Sequence, residues 1–269
     1  MKKRMETRRS FLKAGPGAGL GAVILSRCGS ADVVSGGASD GGTGTDSSGT
    51  SDGGTTVTDG GTTADCLLDP TTTKGPYWVD ERLNRSDIRS DTNGIASPNP
   101  RPGLPLTLEF AVSAYASGVC TPLQGAQVDI WHCDASGIYS DVQGSTAGQN
   151  FLRGYQVTDA SGVARFTTIY PGWYSGRAVH IHVKVRLFDA SNNTTTEATT
   201  QVFFDDTITD TVYKNVSPYS GRSTRDTRNP ADNIYGNQTV LLLSLSGDTA
   251  SGFTGTIPLG VRVGQINSG

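Results

Sequence analysis

His180 and His182 stand two apart in the run Val179-His180-Ile181-His182-Val183-Lys184-Val185-Arg186-Leu187. The odd positions of that run are apolar and the even ones from His180 to Arg186 are polar. In a strand, side chains i and i+2 share a face, so both imidazoles point the same way, about 7 Å apart along the backbone. Two readings stand at this point: a metal-binding pair of imidazoles, or two histidines on a solvated strand face. Just upstream, Tyr170-Pro171-Gly172-Trp173-Tyr174 forms an aromatic turn. Pro-Gly favours a chain reversal that can aim Tyr174 back toward the histidine face. A second turn tyrosine, Tyr139, follows Trp131-His132-Cys133. Phenolate is a hard anionic donor whose pKa, near 10 when unperturbed, falls beside a multivalent cation. Two imidazoles and two phenolates together would favour Fe(III) over Fe(II) or Zn(II) by charge and hardness, although spacing alone does not fix that ligand set. His132 reads as a hydrogen-bonded structural histidine.

The elements that must position these side chains are short strands. Leu104, Leu106, Leu108, Phe110 and Val112 fall on every second residue, the period of a half-buried strand. Val128 and Ile130 continue the pattern, and the turn Asp159-Ala160-Ser161-Gly162 separates Tyr155–Val157 from Val163–Ile169 as in a hairpin. Further strands are expected at 179–188, 200–205, 239–246 and 253–262, single helical turns at 81–90 and 209–215, and a polar loop from Asp189 to Thr199. The fold class expected is all-β, a two-sheet β-sandwich with long active-site loops.

The chain has 269 residues, with 35% apolar and 17% charged residues, 35 Gly and 12 Pro, a balance that suits many turns and few long helices. Residues 1–28 hold seven of the 22 Lys and Arg and one acid, so the remainder carries a net charge of −9. That field excludes nucleic acid and anionic lipid surfaces as partners held by a basic patch. Residues 1–28 read as a signal peptide: Thr7-Arg8-Arg9-Ser10-Phe11-Leu12-Lys13 matches the twin-arginine export signal. Leu25-Ser26-Arg27-Cys28 resembles a lipoprotein cleavage box with Arg27 where a small residue is usual, so Cys28 is a candidate lipid anchor. The location expected is therefore periplasmic, extracellular or lipid-anchored at the cell surface. Residues 29–65 are mostly Gly, Ser, Thr and Asp, with no aromatic and no Lys or Arg, a disordered tether by composition. Residues 66–269 form the folded domain. Cys133 ends a strand that begins near Gln127, several residues' rise from Cys120, so the expected disulfide is Cys66–Cys120 and Cys133 is expected as a free buried thiol.

Gly137-Ile138-Tyr139, Pro171-Gly172-Trp173-Tyr174 and Arg177-Ala178-Val179-His180-Ile181-His182 resemble, in order and spacing, the intradiol ring-cleavage dioxygenase family. The resemblance extends to Gly75-Pro76-Tyr77, Gly125-Ala126, Phe151-Leu152-Arg153-Gly154 and Thr200-Gln201-Val202-Phe203-Phe204. It implies a non-haem Fe(III) enzyme that uses O2 to open a catechol-type ring between the two hydroxyl-bearing carbons, giving a cis,cis-muconate-type diacid. It implies Tyr139, Tyr174, His180 and His182 as metal ligands, with Tyr174 the labile one that also takes up a substrate proton. Arg177 would stabilise carbanion character on the ring, and Gln201 would hydrogen-bond in the same pocket. Gly75-Pro76-Tyr77 would line the pocket mouth or form a packed arm. Only five residues separate Tyr174 from His180, where the protocatechuate enzymes carry a longer insertion, so neither substrate substituents nor oligomeric state transfer. Two other readings remain: a secreted β-sandwich binding module, and a zinc or copper site on the same ligands.

Overall fold

The structure is a computed structural model that describes residues 71–142, 144–236 and 241–267. The leucine alternation becomes the long strand β1 (Pro105–Ala116), which buries Leu106, Leu108, Phe110 and Val112 on one face. A short return, β2 (Val119–Pro122), pairs with its end, and β5 (Val163–Ile169) pairs antiparallel with its first half. On the other side of β1 lies β9 (Gly252–Val261), parallel to it, followed by β8 (Ser244–Asp248). The second sheet runs β10 (Ile266–Asn267), β7 (Thr194–Phe203), β6 (His180–Phe188), β3 (Gln127–Trp131) and β4 (Arg153–Val157). The described domain is thus the expected two-sheet sandwich.

One core joins the sheets. Leu106, Leu108, Phe110, Ile257 and Leu259 from the first meet Val128, Ile130, Ile181, Val183 and Val202 from the second. Period-2 alternation sends these residues inward and leaves the opposite face of β6 to His180, His182, Lys184 and Arg186. That opposite face is not solvated: all four side chains are buried. Long connections on that side of the sheet cover it, which removes the surface-histidine reading.

Five local expectations change. The strands on either side of Asp159–Gly162 do not pair as a hairpin: β4 pairs with β3 in one sheet and β5 with β1 in the other. Of the strand expected at 239–246, the described residues form strand only from Ser244, where β8 begins. Residues 81–90 form bends and isolated bridges to Tyr155 and Thr167 rather than a helical turn. Their backbone groups bond the ends of β4 and β5, as in Arg85 N–H to the Tyr155 carbonyl, which satisfies them without a helix. Asp189–Asn193 alone is the turn, and β7 starts at Thr194, because β-branched threonines pair against β6 down to Phe188. The turn expected at 209–215 is a full helix, α1 (Asp206–Asn215). The Asp205 carboxylate caps it, accepting from the Thr207 and Ile208 amides. Cys120 is disulfide-bonded, its expected partner Cys66 lies outside the described residues, and Cys133 is a free, buried thiol. The proposed signal, Cys28 and tether also lie outside the described residues.

Candidate metal centre

The turn that carries Tyr139 is tied down by Asp134, whose carboxylate accepts from the Ser136 and Ile138 amides and pairs with Arg101. Gly137 there has φ +83°, and a Cβ on it would sit 2.2 Å from the Trp173 carbonyl oxygen. Gly172 in the other tyrosine turn is equally confined, since its Cβ would lie 2.3 Å from the Asp134 oxygen. The two loops therefore touch backbone to backbone, an approach only glycine permits. That contact brings Tyr139 and Tyr174 to the same place. Asp226 fastens the far side of the second loop by accepting from Ser175 and Gly176.

Strand β6 supplies the imidazoles. The Nδ1–H of His180 donates to the Ala178 carbonyl at 2.7 Å, which leaves the Nε2 lone pair free to face the tyrosines. The Tyr174 hydroxyl is 3.2 Å from that Nε2, the Tyr139 hydroxyl 3.4 Å, and His182 Nε2 3.2 Å. Two phenol oxygens and a second imidazole nitrogen thus lie within 3.4 Å of His180 Nε2. His182 is held by stacking on Trp131, with ring centroids 4.8 Å apart and planes within 9°. Its Nδ1 is buried without a partner in the protein, where a ligating imidazole places an N–H on an acceptor or water. Tyr139 is sandwiched from outside by Tyr77, whose ring stacks on it at 4.3 Å. Gly75 lies against the His182 ring, so Gly75-Pro76-Tyr77 is a packed arm over the donor cluster.

Burial sets the charge state of these groups. It pushes the Tyr174 phenol up to about 12 and Tyr139 well above the usual phenol range. It also drives His180 down to about 3, with the Arg177 charge adding to the effect, and His182 well below its ordinary value. The cluster therefore presents neutral, unprotonated imidazole nitrogens together with phenols that only a strong neighbouring positive charge would ionise. Donors bound to one ion at about 2.0–2.2 Å lie roughly 3 Å from each other, which matches the 3.2–3.4 Å separations seen here. Among the described residues no three His, Cys, Asp or Glu side chains converge, so a metal here needs the tyrosines. Two potential phenolates beside two imidazoles fit a hard, highly charged cation.

The remaining expected site residues converge on the same cluster. Arg177 donates from Nε to Asp232 at 2.8 Å and from one terminal nitrogen to Gln201 Oε1 at 2.6 Å. Its other terminal nitrogen lies 3.5 Å from His180 Nε2. Gln201 sits opposite His182 on β7 and donates to the Thr73 carbonyl at 2.9 Å, joining the arm to the site. His132 bonds Thr168 at 2.7 Å and the Cys133 carbonyl at 2.8 Å, as expected of a structural histidine.

Sequence reading missed two supports. Asp232, wholly buried, accepts from both Arg177 and the Ala178 amide, and its carboxyl is held below the usual range by these bonds against its burial. It comes from the segment after α1, which Arg225 docks through Asp206 and Asp210. No motif marks it. Arg153, also buried, donates to the Ser140 hydroxyl and carbonyl and to the Tyr77 carbonyl, clamping the Tyr139 turn to the arm. A buried arginine inside Phe151-Leu152-Arg153-Gly154 was the one available signal.

A family model described as Dioxygenase matches residues 73–219, which include every tyrosine, histidine, arginine and glutamine named as a site residue by sequence. The chain belongs to the intradiol ring-cleavage dioxygenase family. Among solved structures, an intradiol ring-cleavage dioxygenase from Tetranychus urticae is similar, at 29% identity and a TM-score of 0.62, over 73% of this chain and 95% of that one. A second dioxygenase crystal structure is 30% identical with a TM-score of 0.60, over 74% of this chain and 95% of that one. The dioxygenase domain of a dioxygenase carbohydrate-binding protein fusion from the cellulolytic bacterium Streptomyces sp. SirexAA-E is 28% identical with a TM-score of 0.50, covering 73% and 99%. No curated protein matches. This dioxygenase is an enzyme, which sets aside the binding-module reading. Asp232 lies beyond the residues matched by the family model.

Proposed function

We propose that this dioxygenase opens a catechol-type ring between its two hydroxyl-bearing carbons at a ferric ion held by Tyr139, Tyr174, His180 and His182. Both atoms of O2 enter the product, a cis,cis-muconate-type diacid. The observation that carries this reading is the meeting of two phenol oxygens and two imidazole nitrogens within 3.2–3.4 Å around His180 Nε2. When bound, ferric iron supplies a Lewis-acidic, redox-active template for the chelated catecholate. Everything else falls to the protein's own groups.

Tyr139 is fully buried and Tyr174 half-buried, so Tyr174 is the ligand with room to swing away when substrate arrives. Its high intrinsic basicity lets the released phenolate take a proton from a catechol hydroxyl. Arg177, fixed at Nε by Asp232 and at one terminal nitrogen by Gln201, keeps its remaining nitrogen toward the centre, where it stabilises negative charge on the ring. Tyr77 and Trp131 shield the donor cluster and exclude water from its inner side. The test is oxygen uptake with a panel of catechols under labelled dioxygen. One O2 per catechol with both labels in a muconate-type diacid is expected; a semialdehyde product would contradict the reading.

We also propose that the chain is exported through the twin-arginine signal at residues 7–13, with Cys28 as a lipid anchor and residues 29–65 as a tether. The disulfide at Cys120 supports an oxidising compartment. Replacing Arg8 and Arg9 by Lys is expected to leave the protein inside the cell on fractionation; unaltered export would contradict the proposal.

A further inference from the structure

The main chain leading to Tyr174 has no strand ladder, yet each carbonyl from Tyr170 to Trp173 accepts from a side chain. Tyr170 accepts from the Tyr219 hydroxyl at 2.6 Å, and Pro171 from the Tyr213 hydroxyl at 2.9 Å. Gly172 accepts from the Cys133 thiol at 3.3 Å, and Trp173 from the Arg222 guanidinium at 2.8 Å. With Asp226 holding Ser175 and Gly176 beyond it, the backbone on both sides of Tyr174 is fixed.

Of these four donors, Arg222 is the one whose side chain bonds the main chain of both ligand turns. Its other terminal nitrogen donates to the Ala135 carbonyl at 3.1 Å, in the turn that carries Tyr139. A Cβ on Gly137 would lie 3.3 Å from the guanidinium, so the fork sits at the seam where the two turns touch. The guanidinium carbon is 4.9 Å from the centre of the Trp173 ring, which fixes its plane. The Arg222 amide in turn donates to the Tyr219 carbonyl at 3.0 Å, anchoring the fork to the turn after α1. Arg222 also lies beyond the residues matched by the family model.

We propose that Arg222 is a positioning residue for ring cleavage. By locking the Tyr174 turn to the Tyr139 turn, it keeps the backbone still, so Tyr174 leaves and returns by rotation of its own side chain. The inference rests on the ring-cleavage reading above, in which Tyr174 is the labile ligand. A planar fork suits the task, since one rigid group serves two carbonyls at once. A displacement of about 1 Å in such a group can slow a reaction roughly 100-fold.

The test uses Arg222→Ala, which removes the fork, and Arg222→Lys, which keeps the charge and one bond. Hydrogen exchange of the metal-free protein is the first readout, and it needs neither iron nor substrate. The Gly137 and Gly172 amides both donate to the Asp134 carbonyl, one from each turn. In Arg222→Ala both are expected to exchange about 10- to 100-fold faster, the scale of one charge-assisted hydrogen bond, while amides of β6 stay as they were. Oxygen uptake with catechol is the second readout. There kcat is expected to fall about 10-fold or more with iron content kept, while KM changes by less than about 3-fold, because Arg222 binds no substrate. Methylguanidinium should restore part of kcat in Arg222→Ala and leave the wild type unchanged, since the position is only half-buried. Arg222→Lys should fall between in both readouts, and it carries the same comparison if the alanine variant does not fold. Exchange that is unchanged, faster in one turn only, or faster throughout the domain would overturn the lock. An unaltered kcat would overturn the positioning role while ring cleavage stands. If the wild type cleaves no catechol, the ring-cleavage reading itself fails, and the positioning role falls with it.

Discussion

At His180 a single ring nitrogen receives two phenols, a second imidazole and a guanidinium, and that crowding is where chemistry and stability conflict. Burial keeps the phenols protonated, so a cation must offset the cost of ionising them. Tyr174→Phe is expected to slow ring cleavage by about 100-fold or more, on the scale of a lost acid–base group, while the buried Tyr139 keeps the iron in place. Metal analysis beside turnover separates the two effects, and unaltered turnover would contradict the role given to Tyr174. Asp232 acts one step further out, through Arg177. Asp232→Asn keeps the shape and one oxygen, which Arg177 and the Ala178 amide share, but removes the charge that holds the guanidinium and turns an NH2 toward the Ile234 and Tyr235 amides. A fall in kcat of roughly 10- to 100-fold with full iron content is expected, on the scale of a misplaced electrostatic donor. In an Arg177→Ala background the same change should have little further effect; additive losses would show that Asp232 serves the fold instead.

Elements decide whether these residues meet at all. The alternation along β6 was legible because period 2 assigns each side chain a face from sequence alone. The turns before Tyr139 and Tyr174 were legible as Gly and Pro-Gly signals. That the two turns touch each other was not, since the contact joins Gly137 to Trp173 and Gly172 to Asp134 across the fold. Asp232 and the arm's grip on Gln201 were hidden for the same reason: each is a long-range contact made by a residue in an unpatterned segment. The start of β7 was missed because Thr194–Thr196 read as polar loop, whereas β-branching and pairing to β6 make it strand. Gly172→Ala tests the contact between the turns. Its Cβ would meet backbone at 2.3 Å, so destabilisation of about 2–4 kcal/mol in urea unfolding and loss of metal are expected. Gly144→Ala, where a Cβ would meet nothing within 4 Å, is the neutral control. Equal effects at the two positions would count against a shared backbone contact as the device that gathers the tyrosines.

For the whole domain, three histidines buried as neutral rings make stability depend on pH. Burial lowers His132 to about 4 and His180 to about 3, and takes His182 well below its ordinary value. Below pH 6.5 the unfolded chain then binds protons that the folded one refuses, so this contribution is full above pH 6.5 and is lost as pH falls from there toward 3–4. In metal-free protein, moving from pH 7 to pH 5 is expected to cost about 2 kcal/mol per histidine in urea-unfolding free energy. A flat profile over that range would mean that the folded rings take up protons as they do in the unfolded chain, which would contradict their being held neutral by burial. The two sheets, the arm and the segment after α1 thus converge on one claim, that two phenolates and two imidazoles share a ferric ion. The visible absorption spectrum of the purified protein loaded with ferric iron tests it most directly. One iron per chain with an intense tyrosinate-to-iron charge-transfer band is the predicted result, and a colourless protein that takes up no ferric iron would contradict it.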